Sequence, residues 1–158
     1  MKLSPLQLEA YFLTESSFRA NQDFDPKKPV SFHDADIVIT PDIQPIKDQN
    51  RRWQVVLNIK LQPRAEANSP YVFAFTLVGI VWAAPEFPED KLAPLVATNG
   101  SSMLYGVARE IVRDLTARGP FPALSLPSVS FIPDAPQPTP AASPALATSD
   151  PVAAATTK

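Results

Sequence analysis

Cysteine is absent from this 158-residue chain, which excludes disulfides, thiolate metal sites and thiol nucleophiles. That absence fits a reducing cytoplasm. Histidine occurs once, at His33, so no multi-histidine metal centre can be assembled. A formal net charge of −2 exerts no broad pull toward nucleic acid or an anionic membrane surface. The four glycines form neither a phosphate-cradling loop nor a GxSxG elbow. Long hydrophobic runs are missing as well. The most apolar window, Val72 to Ala84, falls short of the roughly twenty residues of a membrane-spanning helix, so membrane insertion is rejected. At the N-terminus, Pro5, Gln7 and Glu9 interrupt MKLSPLQLEAYFL where a signal peptide needs a continuous apolar core, so it reads as mature sequence.

Proline is plentiful, with nineteen residues, and its placement divides the chain. Residues 132–158 are rich in proline and alanine and poor in large apolar groups. Such a segment buries too little surface to offset chain entropy. It reads as a disordered tail, and residues 1–131 as one folded domain.

Within that domain Leu6, Leu8, Ala10 and Phe12 alternate with Gln7, Glu9 and Tyr11, predicting a first strand that bends near Thr14 to Ser17 and resumes through Phe18. Residues 21–29, NQDFDPKKP, carry turn chemistry. A second short strand is predicted at Asp36 to Thr40, with Ile37 and Ile39 on one side. Pro41 and Pro45 confine the next residues to an edge or a loop. From Trp53 to Gln62 the alternation is clean, with Trp53, Val55, Leu57, Ile59 and Leu61 on one face. The fourth strand, Tyr71 to Ala83, is apolar on both faces, so its second face must be covered or functionally exposed.

The helical part comes next. Glu89 to Ala97 predicts a short helical piece interrupted at Pro94, and Asn99-Gly100 a turn. Met103, Leu104, Val107, Ala108, Ile111, Val112 and Leu115 then recur at spacings of three and four, the stripe of an amphipathic helix. Ser101 or Ser102 is positioned to cap its start. Arg118 faces the negative pole, Gly119 is suited to a left-handed closing conformation, and Pro120 stops the helix. Beyond it Phe121, Leu124, Leu126, Val129 and Phe131 form an extended ribbon that must lie against something. Four strands and then a helix define an α+β fold with an antiparallel sheet packed against a long C-terminal helix. One helix cannot shelter the apolar surface of the fourth strand, which implies self-association.

No constellation of catalytic groups stands out. His33 beside Asp34 and Asp36 is more simply a turn leading into a strand than a metal or catalytic site. Glu86, Glu89 and Asp90 read as a solvated loop rather than a pair of acids aimed across a cleft. Arg51-Arg52 beside Trp53 reads as a hairpin turn capped by a core tryptophan. An enzyme is therefore not expected, and no cofactor is implied. Trp53, Leu57, Phe73 and Phe75 are read as core. Candidates for an open groove are Ile37 and Ile39 on the proline-flanked strand, Trp82 and Phe87 at the end of the fourth, and Leu92. Candidates for helix packing and assembly are Leu104, Ala108, Ile111, Val112 and Leu115.

The run Ala108-Arg109-Glu110, then Arg118-Gly119, Phe121-Pro122, Leu124, Leu126, Val129 and Phe131 resembles the C-terminal part of SecB-type protein-export chaperones. In that family a long helix ends in an Arg-Gly-x-Phe-Pro-x-Leu turn. The resemblance implies a four-stranded antiparallel sheet backed by a helix, a homotetramer built as a dimer of dimers, and clients that are unfolded preproteins or a dedicated partner such as an antitoxin. It also implies acidic residues that receive the SecA motor. Glu15 keeps one such acid, whereas Arg19 and Ala74 stand where two others belong, which argues against SecA docking. Pro133, Pro136 and Pro138 occupy the place of the family's second C-terminal helix.

Three readings of function remain. The first is an ATP-independent holdase that binds unfolded or partly folded polypeptide through apolar grooves and keeps it export-competent, since several weak contacts on an oligomer give steep avidity. The second is a non-catalytic oligomeric module dedicated to one protein partner. The third is a small-ligand binder with a dry pocket between sheet and helix.

Overall fold

A computed structural model describes residues 3–132 apart from Phe32 and Ala65. Of the tail expected over residues 132–158, all but Ile132 lies outside the described residues, Pro133, Pro136 and Pro138 included. Four strands, β1 (Leu6–Ala20), β2 (Ile37–Pro45), β3 (Arg52–Leu61) and β4 (Tyr71–Ala83), form one antiparallel sheet in the order β1-β4-β3-β2. A helical segment completes the fold, comprising a 3-10 turn at Glu89–Lys91, a short α1 (Leu92–Leu95), a π turn at Val96–Gly100 and the long α2 (Ser101–Ala117). α2 and the ribbon after it cover one face of the sheet.

β3 and β4 keep their alternation. Val55, Leu57, Ile59 and Leu61 of β3 and Tyr71, Phe73, Phe75, Leu77, Val81 and Ala83 of β4 are buried on the helix side. The second face of β4, from Val72 to Trp82, is only half-buried. Trp53 is half-buried and packs against the core. β2 extends past the predicted end to Pro45. It can do so because it is an edge strand. Ile46 donates its amide to the Arg52 carbonyl at 3.0 Å, and with that phase Pro41 and Pro45 stand where the amide points away from β3.

β1 departs from simple alternation. It is one continuous strand with register shifts at Glu9 and Thr14. Each extra residue turns the subsequent side chains over. Leu6 and Leu8 therefore share the helix-side face of Val81 and Ala83, while Ala10 and Phe12 lie opposite Ile80 and Val78 on the outer face. Past Thr14 the residues opposite Phe75 and Phe73 are Ser16 and Phe18. The Thr14 hydroxyl bridges the second bulge by donating to the Thr76 carbonyl at 3.1 Å.

The start of the helix also differs from the expected break. Gly100 has φ −61° and ψ −46°, ordinary helical values, so the chain runs through Asn99-Gly100 without a turn. Neither serine caps an end: Ser102 Oγ donates back to the Thr98 carbonyl at 2.7 Å, and Ser101 is buried. Pro94 is tolerated in the first turn, where its missing amide would have no helical partner.

Gly119 is not left-handed, since none of the glycines has positive φ. It is required by a close approach instead: a Cβ there would lie 2.8 and 2.9 Å from two ring carbons of Tyr71 and nearer still to its hydroxyl. That hydroxyl accepts from the Phe121 amide at 3.1 Å and reaches the Phe121 and Thr116 carbonyls at 2.7 and 3.0 Å. Buried Thr116 donates to the Val112 carbonyl at 2.7 Å and accepts from the Leu124 amide at 3.0 Å. The ribbon is thus fastened where it leaves α2. Further along, Leu124 and Leu126 are buried, and Tyr105 donates to the Pro127 carbonyl at 2.8 Å.

Candidate functional site

β4 ends where β1 begins, and the chain on either side of that junction encloses a cleft of about 730 Å³. Leu3, Pro5 and Gln7 form one wall and Trp82, Pro85 and Phe87 the other. Antiparallel pairing explains the meeting, because Leu6 lies opposite Ala83 and Gln7 opposite Trp82. The walls are fixed by main-chain bonds. Ala84 donates its amide to the Pro5 carbonyl at 2.7 Å, and Ala83 donates to the Arg51 carbonyl at 3.0 Å. The Arg51 guanidinium donates to the carbonyls of Ala83 (3.1 Å), Ala84 (2.6 Å) and Phe87 (2.5 Å). Beside Trp82, Arg52 holds Glu9 with two bonds of 2.7 and 2.9 Å, which depress the Glu9 carboxyl below its usual range.

From this cleft the outer face of the sheet carries Ala10, Ile80, Phe12, Val78 and Val56, with Gln54 beside Ile80, then turns polar. At the polar end Glu15, Ser17, Thr40, Asn58 and Lys60, with Val38, Ala74 and Phe75, border a smaller hollow of about 420 Å³. There the Thr76 hydroxyl donates to Asn58 Oδ1 at 2.9 Å, with a Glu15 oxygen at 3.4 Å.

A third apolar feature is the free edge of β1. Tyr11, Phe12 and Leu13 are 52%, 56% and 43% exposed. Tyr11 and Leu13 stand on the helix side, opposite Gly79 and Leu77, and α2 passes directly above through Leu104. Met103, Val107 and Ile111 on that helix are half-buried.

The structure brings Trp82 and Phe87 together in one cleft. Ile37 and Ile39 do not join them. They lie on β2, opposite Leu61 and Ile59, half-buried against the core. Leu92 is corrected: at 3% exposure it belongs to the core and not to a groove, because the helical segment turns it inward. Leu104, Ala108 and Val112 are fully buried against this chain's own sheet, which withdraws them from contacts between copies. Ile111 and Leu115 remain half-buried on the core's margin. Glu15 sits on the outer face, in line with Ala74 and Arg19 at the same end.

Sequence reasoning missed Leu3 and Pro5, although pairing β1 with the end of β4 would have located them. It also missed Tyr11 and Leu13, whose exposure depends on the bulges, and Arg51, whose role depends on backbone conformation. Asp36, read as a loop carboxylate, is fully buried at its side chain. It accepts the His33 amide at 2.7 Å and Arg64 Nε at 2.9 Å. The His33 amide bond, aided by Arg64, holds its carboxyl below the usual range against the opposing effect of burial. Among the described residues no group of three or more His, Asp or Glu is arranged to hold a metal, and no helix is long and apolar enough to cross a membrane.

The antiparallel sheet, backed by a long helix and a pinned ribbon, is similar in fold to a solved SecB-like chaperone. The SecB-like chaperone of Mycobacterium tuberculosis, solved in complex with an antitoxin peptide, superposes with a TM-score of 0.61 at 22% identity over 80% of this chain and 91% of that one. Residues 3–133 match the family described as preprotein translocase subunit SecB, and the chain belongs to that family. The protein-export protein SecB of Bartonella quintana is 32% identical over 61% of this chain and 59% of its own length. That of Haemophilus ducreyi is 28% identical over 80% of this chain and 73% of its own. The chain thus spans about six-tenths of the length of the Bartonella relative.

Proposed function

We propose that this protein is an ATP-independent holdase that captures unfolded or partly folded polypeptides in the cytoplasm and keeps them competent for export. The observation that carries the reading is the apolar cleft around Trp82 and Phe87, continuous with the uncovered outer face of β4. Such a surface accepts apolar side chains without a sequence code, and binding the unfolded state alone delays folding by mass action. Membership of a chaperone family supports a non-catalytic role.

Avidity for long clients requires more than one copy, and we assign assembly to a homotetramer whose first contact is the free β1 edge. SecA is not required by this reading, since Glu15 shares its end of the face with Arg19 and Lys60. The second reading, one dedicated client, is favoured by a single observation: the solved neighbour of the same fold carries an antitoxin peptide.

The test is dilution of several unrelated denatured proteins into buffer with and without this protein, tracking light scattering and measuring oligomer mass. Suppressed aggregation of all of them by a tetramer supports the holdase. Protection of none, with stoichiometric binding of one protein, moves the assignment to the dedicated partner.

A further inference from the structure

Arg51 is exceptional in two independent ways. Its φ is 62°, a left-handed value that residues other than glycine, asparagine and aspartate seldom adopt. Asp48 in the same turn, at φ 60°, is a residue type that tolerates this region, whereas arginine is not favoured there. The second feature is what the guanidinium does. Three of its hydrogen bonds go to main-chain carbonyls, those of Ala83, Ala84 and Phe87, and it is absent from the ion pairs among the described residues. Arginine is suited to this, because a rigid planar fork can serve several acceptors at fixed angles.

Those three carbonyls belong to the segment that carries one wall of the cleft. Trp82 precedes it, Pro85 lies within it, and Phe87 ends it. The opposite side of the segment is tied to Pro5 through the Ala84 amide. Arg51 therefore stands behind the wall and, with the Ala84 bond, holds it at a fixed separation from Pro5. An unusual backbone conformation kept at this position is consistent with a constraint imposed by the site it supports.

We infer that Arg51 is a positioning residue for client capture: its guanidinium presets the spacing of Trp82 and Phe87, so that the cleft receives an apolar side chain of an extended polypeptide without first reorganising. Preorganised walls gain affinity by removing an ordering cost at the moment of binding. The inference rests on the reading of this cleft as a client site.

The experiment uses the full chain in a Trp53→Phe background, so that fluorescence reports Trp82 alone. Reduced, carboxymethylated α-lactalbumin serves as a permanently unfolded probe. Arg51→Gly keeps the left-handed turn at no steric cost and removes the fork. Arg51→Lys keeps the charge but replaces the planar fork. Both variants are expected to melt close to the parent, to expose Trp82 more to acrylamide quenching, and to bind the probe about tenfold more weakly. Trp82→Ala, read by calorimetry, separates the two layers. If Trp82→Ala binds the probe as the parent does, the cleft is not the client site. If Trp82→Ala weakens binding while either Arg51 variant binds normally, the cleft stands and the positioning role of Arg51 is overturned.

Discussion

The phenol ring of Tyr71 lies against the bare α-carbon of Gly119, with two ring carbons within 2.9 Å of where a Cβ would stand. This contact explains the Arg-Gly-x-Phe-Pro-x-Leu turn physically. Gly119 clears space for the ring, Phe121 supplies an amide and a carbonyl to the hydroxyl, and Leu124 ties to Thr116. Gly119→Ala should destabilise the fold by about 1–3 kcal/mol, since neither a buried ring nor the helix end can retreat freely. Tyr71→Phe should cost about 1–3 kcal/mol by leaving the Phe121 amide unpaired. Urea unfolding of both variants checks this; an unchanged midpoint for Gly119→Ala would show that the turn relaxes around the methyl group.

A second expectation concerns acid. Asp36 has its carboxyl lowered below its usual value, chiefly by the His33 amide. The unfolded state then binds more protons than the folded one in the acid range, so stability rises with pH there. The contribution is fully present above the unfolded carboxylate value of about 4 and is lost as pH falls through the lower folded value. Glu9, lowered mainly by its bond to Arg52, acts in the same direction from a more exposed site. Asp36→Asn should therefore lose less stability than the parent between about pH 6 and about pH 3. Equal losses in the two proteins, measured by urea titration at both values, would remove Asp36 from the acid response.

Much of this architecture could be read from the residues, and the failures have physical causes. β3 and β4 were legible because Trp53 to Leu61 and Tyr71 to Ala83 keep an unbroken period of two against a single core. β1 was legible as a strand but not in its facing, since Glu9 and Thr14 insert single residues that no local pattern marks. The continuous helix through Gly100 was missed because an asparagine-glycine pair favours a turn in isolation, and packing of Gly100 against Val55 and Val96 outweighs that preference. Of the groove candidates, Trp82 and Phe87, named from their place at a strand end, line one cleft. Leu92 was assigned to a groove, and Leu104 to helix packing or assembly without a choice between them, because apolar periodicity shows which residues seek cover, and not whether the cover is this chain or another.

Removing an aromatic wall of the cleft should be felt by clients and not by the fold. Trp82 is half-buried on the outer face and Phe87 sits at the core's margin. Trp82→Ala should weaken capture of an unfolded protein about tenfold or more, the loss typical of a central aromatic contact. The far-UV spectrum should be unchanged. Full aggregation suppression by Trp82→Ala would place client binding elsewhere on the molecule.

The two edges of the sheet are unequal, which bears on the proposed assembly. β2 presents Pro41 and Pro45 on its free side, which blocks further pairing. β1 has no proline from Leu6 to Ala20 and leaves Tyr11, Phe12 and Leu13 exposed. A two-fold axis beside β1 would pair this edge with itself and bring Tyr11 and Leu13 of each copy under the half-buried flank of α2 formed by Met103, Val107 and Ile111. Leu13→Lys places a charge in that contact while leaving the single chain's core untouched, since Leu13 is 43% exposed. The variant should sediment as a smaller species than the parent at about micromolar concentration, with the same helix content. It should also protect long clients less well than short peptides, because avidity depends on several grooves acting on one chain. An unchanged mass would mean that β1 faces solvent or client in the assembled protein, and that copies meet through another surface.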